Sequence, residues 1–86
     1  MNMNQQKYFV IMTDRFLSKW GLAEGKIAKF IITCDSFEQA EIISRNAQKR
    51  TDMRRITVSK KIPYYSPRGY QVSYETWDTL GDIWKK

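Results

Sequence analysis

The sequence predicts an α+β domain of two layers, with one main helix on an antiparallel or mixed four-stranded sheet in the order β-β-α-β-β. Three observations predict it. Four short segments rich in β-branched and aromatic residues are divided by glycine, proline or charged stretches. One amphipathic segment with a marked start lies between the second and the third. The chain of 86 residues is 42% hydrophobic and 28% charged, a balance that suits one folded core rather than a disordered chain. Its three tryptophans, five tyrosines and four phenylalanines supply much of the apolar area for that core.

Residues 1–6 are polar and read as a loose tail ahead of a single domain over residues 7–86. KYFVIMT, residues 7–13, reads as a strand buried on both faces. Residues 14–26 hold Gly21 and Gly25 and read as a long connection. In IAKFIITC, residues 27–34, Ala28, Phe30, Ile32 and Cys34 share one face while Lys29 and Thr33 point the other way. The helix start is sharply marked, because Ser36 can cap and Gln39 stands where a capping box needs it. Glu38 and Glu41 early and Lys49 and Arg50 late both suit the helix dipole, and Glu41 and Arg45 are spaced for an ion pair. Phe37, Ala40, Ile43 and Ala47 form the apolar stripe, and Ile42 falls on the opposite side.

RRITVSKK, residues 54–61, is a third strand with Ile56 and Val58 inward and Arg55, Thr57, Ser59 and Lys61 outward. YQVSY, residues 70–74, is a fourth, with Tyr70, Val72 and Tyr74 on one face. The intervening IPYYSPRG has two prolines and a glycine, which forbid a regular ladder and suit a long hairpin loop. At the C-terminal end Trp77, Leu80 and Trp84 stand at helical spacing, with Gly81 among them. The segment reads as a short amphipathic helix or as an irregular tail tucked under its tryptophans.

Charge is segregated. Lys49, Arg50, Arg54, Arg55, Lys60, Lys61 and Arg68 crowd one window against the single acid Asp52, so that window carries the net +6 of the whole chain. Such segregation points to an anionic partner, although a solvated basic face is the plain structural alternative.

The residues also exclude much chemistry. The chain has no histidine, which removes the usual general base and the usual partner of a serine or cysteine nucleophile. Its one cysteine, Cys34, ends an apolar run and is expected to be a buried thiol in a reducing cytoplasm. GLAEGK, residues 21–26, lacks the glycine spacing and the following Ser or Thr of a phosphate loop. Asp14, Glu24 and Asp35 have no spacing that demands a cation. No catalytic residue, metal or cofactor is expected, and the chain reads as no enzyme. The apolar run Tyr8–Met12 is too short for a signal-peptide core or a membrane span, so no membrane partner is expected.

The residues Trp20-Gly21, Ala23-Glu24-Gly25-Lys26, Cys34-Asp35, Glu38-Gln39-Ala40-Glu41, Asn46-Ala47, Asp52-Met53 and Pro63-Tyr64-Tyr65 lie in a stretch covering about two-thirds of the chain. That stretch resembles a family of small phage- and prophage-encoded proteins without an established activity. The resemblance implies a setting, the host-cell cytoplasm, and a binder of nucleic acid or an inhibitor of host machinery. It assigns no residue a role.

The leading expectation is a nucleic-acid binder. Arg54, Arg55, Lys60, Lys61 and Arg68 would neutralise phosphates, and Tyr64 and Tyr65 would either stack on unpaired bases or pack on their own loop. Single-stranded DNA or RNA is the favoured ligand. The alternative is an inhibitor or adaptor that docks on an acidic protein surface, such as a defence nuclease, with Trp20, Ile42 and Trp84 as interface candidates. A homodimer through an open sheet edge is a third.

Overall fold

The computed structural model describes residues 6–15 and 25–86. They form β1 (Tyr8–Asp14), β2 (Ile27–Cys34), α1 (Phe37–Gln48), β3 (Met53–Ser59), β4 (Tyr70–Thr76) and a 3-10 turn at Asp82–Trp84. The fold is α+β, with α1 packed on a four-stranded mixed sheet. Most of the connection after β1 falls outside the described residues, and Trp20 with it.

The sheet order is β3-β1-β2-β4. β1 runs antiparallel to both its neighbours, while β4 runs parallel to β2. Burial dictates the centre. Val10, Ile11 and Met12 are consecutive and all buried, which only a strand covered on both faces permits.

The inner face packs on α1. Val10, Met12, Ile32 and Cys34 meet Ala40, Ile43 and Ala47, whose small side chains allow close approach. The helix begins where expected, with the Ser36 hydroxyl accepting from Gln39 N at 3.2 Å. The return bond is displaced by one residue, because the Gln39 side chain accepts from Asp35 N at 2.8 Å. Asp35 also pairs with Lys7. The expected Glu41–Arg45 pair is not among the ion pairs of the described residues.

One expectation needs correction. Residues 60–69 are no hairpin loop, since β3 and β4 lie at opposite edges of the sheet. Ser59 pairs with Phe9 near one end of β1, whereas Tyr70 pairs with Ile27 near the other end of the sheet. The segment therefore crosses the sheet from edge to edge. Tyr65 shows which face it crosses: its ring lies 4.9 Å from that of Tyr70 and 5.2 Å from the Lys29 ammonium, both on the face away from α1. Ile31, 0% exposed, and Ile11, 5% exposed, are buried on that outer face. Prolines and a glycine suit this path as well as they suit a hairpin, because neither path asks residues 62–69 to join a ladder.

At the C-terminal end the irregular tail, one of the two alternatives, is the one formed. The helical spacing of Trp77, Leu80 and Trp84 resolves into a turn followed by one 3-10 turn. Thr79 Oγ1 accepts from Thr76 N at 3.0 Å, and Leu80 N donates to Thr76 O at 3.0 Å. Gly81 then adopts extended backbone, which ends any helix there. Leu80 is buried, and Trp77 and Trp84 pack against the core.

Candidate anion-binding cleft on the outer face

The site is built by an irregularity in β3. Thr13 pairs with Arg54 and Ile11 with Thr57, so two residues of β3, Arg55 and Ile56, stand opposite Met12 alone. This is a β-bulge. Unbroken alternation from Ile56 and Val58 would send Arg54 to the inner face and Met53 outward. The extra residue reverses both: Met53 is 8% exposed in the core, and Arg54 stands opposite Thr13 on the outer face. Arg55 holds the bulge with φ 53°, left-handed backbone that glycine ordinarily supplies.

Two adjacent arginines thus line one cleft, together with Thr13, Arg15, Ile27, Lys29 and Tyr70. Its volume is about 550 Å³. Among its described lining residues are four cations and no carboxylate. The ion pairs of the described residues, Lys7–Asp35 and Arg50–Asp52, lie elsewhere. Arg15 is placed by a backbone bond to Asp52 O of 2.7 Å, which ties the end of β1 to the residue preceding β3.

Lys29 is held rather than loose. Its ammonium donates to Thr13 Oγ1 at 2.8 Å and lies over the Tyr65 ring. Burial, and then the charge of Arg55, lower its pKa from the ordinary lysine value. Both causes reflect the same fact: positive charge here is partly desolvated and crowded by its own sign.

The expected nucleic-acid residues divide. Arg54 and Arg55 are in the cleft. Arg68 is exposed, two residues before Tyr70, and its neighbour Gly69 accepts from Ile27 N at 2.9 Å. Lys60 and Lys61 are exposed at the far end of β3, about six residues and roughly 20 Å of strand away. Tyr64 is 83% exposed. Tyr65 is committed to Tyr70 and Lys29, and burial raises its phenol pKa above the usual value.

Arg50 leaves the cationic window altogether. Its guanidinium donates twice to the Asp52 carboxylate, at 3.0 and 2.9 Å, and stacks 4.5 Å above the Trp84 ring. Trp84 also meets Phe30 edge-on at 5.6 Å, and its carbonyl accepts from Asn46 Nδ2 at 2.7 Å. That tryptophan is spent on packing. Ile42 is half-buried on α1, away from the cleft.

Arg15 and Lys29 are the residues that sequence reasoning missed. Lys29 carried a usable signal, a lone charge inside the apolar strand IAKFIITC. Arg15 carried none, because its nearness to Arg54 depends on strand pairing. Asp14 and Asp35 sit at opposite ends of the β1–β2 pair, which separates two of the three acids weighed for a cation; Glu24 lies outside the described residues. Among the described residues no cluster of three or more metal-ligating side chains occurs, and no helix is long and apolar enough to cross a membrane. Cys34 is fully buried, with its thiol pushed up to about 11 by burial and then by Asp35. Comparison with protein-family models, with curated proteins and with solved structures found no match for the chain.

Proposed function

We propose that the protein is a non-enzymatic binder of single-stranded nucleic acid, acting in the cytoplasm. The observation that carries the reading is the cleft of Arg15, Lys29, Arg54 and Arg55, four cations with no carboxylate among the described lining residues. Phosphates are anions that guanidiniums engage well, since arginine pairs with them through parallel donors. The crossing segment continues the surface. Lys60 and Lys61 stand at its start and Arg68 at its end, with the exposed Tyr64 between. A strand of unpaired nucleotides laid along it meets charge at both ends and a ring on which a base can stack. Duplex is a poorer fit, because its bases offer no free face to Tyr64. The single free, buried thiol agrees with a reducing compartment.

The test is oligonucleotide binding over a salt series. Log affinity for a short single strand should fall linearly with log salt, by about 0.7 for each phosphate contact. Arg55→Gly removes a cation while keeping the backbone its position prefers, so the slope should flatten by about 0.7 in a protein that still folds. Binding that is absent at low salt, or a slope unmoved by this change, contradicts the reading.

A further inference from the structure

We infer that the cleft takes a phosphorylated strand terminus, the end nucleotide of a single strand with its phosphomonoester among Arg15, Lys29, Arg54 and Arg55. The inference rests on the nucleic-acid reading and names which part of the ligand enters.

Charge balance selects the terminus over the chain interior. An internal phosphodiester brings one negative charge to four cations, whereas a terminal phosphomonoester brings about −1.5 to −2 at neutral pH. The difference matters because no carboxylate stands among the described lining residues and one cation, Lys29, is partly desolvated beside Arg55. The more highly charged group relieves more of that repulsion. It also presents three acceptor oxygens to the donors of three guanidiniums and an ammonium.

Volume and lining select a nucleotide over a bare ion. About 550 Å³ lies within the roughly 300–1,000 Å³ of small-molecule sites and is roomier than one phosphate requires. The other described lining residues are Thr13, which accepts from Lys29, and Ile27 and Tyr70. Ile27 is 43% exposed, an apolar side chain left open at the mouth of a cationic cleft, and Tyr70 is fixed by its contact with Tyr65. Together they give a terminal base an apolar and aromatic surface next to the phosphate site.

The experiment uses the full chain and one single-stranded sequence of about ten nucleotides in three forms: 5′-phosphate, 3′-phosphate, and hydroxyl at both ends. Fluorescence anisotropy reads the affinities. A phosphorylated end, at whichever terminus the cleft accepts, should bind about tenfold more tightly than the hydroxyl-ended strand. Arg55→Gly and Arg54→Gln should each erase most of that preference. The preference should also shrink between about pH 7.5 and about pH 5.5, as the phosphomonoester takes up its second proton near pH 6 and loses charge. The chain has no histidine to titrate across that window. Equal affinity for all three forms overturns the terminus and leaves strand binding standing. Failure of every form to bind overturns both.

Discussion

Arg55 carries left-handed backbone at φ 53°, and its side chain lines the cleft. A non-glycine residue there costs on the order of 1 kcal/mol, so the position gives up stability to hold a charge. Arg55→Gly should raise the urea midpoint by the equivalent of about 0.5–1 kcal/mol while weakening ligand binding. Arg55→Val should lower the midpoint, because a β-branched side chain tolerates this backbone worst. A glycine variant less stable than the native chain would show that Arg55 is held by contacts rather than by the ligand's needs. The neighbouring tyrosines separate in the same manner. Tyr64→Ala should leave stability within about 0.5 kcal/mol and cost binding about 1–3 kcal/mol if its ring stacks on a base. Tyr65→Ala should chiefly destabilise, since it strips the cover from Tyr70 and Lys29. Thermal melts beside binding isotherms resolve the two.

Elements with local determinants were legible in the residues themselves. Ser36, Gln39 and the stripe Ala40, Ile43, Ala47 specify α1 through contacts within a few positions, and the helix starts where they place it. β2 was equally plain, with Ala28, Ile32 and Cys34 buried on the face that alternation assigned them. The bulge was not legible, because Arg54-Arg55 is an ordinary pair for a strand and only the register against β1 shows that one residue is extra. The crossing segment failed for a related reason. Proline and glycine in IPYYSPRG say that no ladder forms there, and they do not say which strands the segment joins. Gly81 weakened the last helix visibly, and the Thr76–Thr79 turn replaced it. Arg54 and Arg55 could therefore be anticipated from the charge window and Lys29 from its place in an apolar strand, while Arg15 could not.

The order β3-β1-β2-β4 makes the cleft possible at the scale of the whole molecule. The helix between β2 and β3 covers the inner face, and the crossing between β3 and β4 reaches over the outer one, so each face is served by a different connection. Where the crossing descends into β4, the cleft opens at the end of the sheet that carries Thr13, Lys29 and Arg54. A cation just past β1, one from β2 and two from β3 then line one cleft, and only the two arginines of the bulge are near neighbours in sequence. The most direct test of this convergence is a two-dimensional amide NMR titration of the nitrogen-15-labelled chain with a short single-stranded oligonucleotide. Saturable shifts should gather at Thr13, Arg15, Lys29, Arg54, Arg55 and Tyr70. Shifts confined to α1, or to Lys60 and Lys61 with the cleft silent, would contradict it.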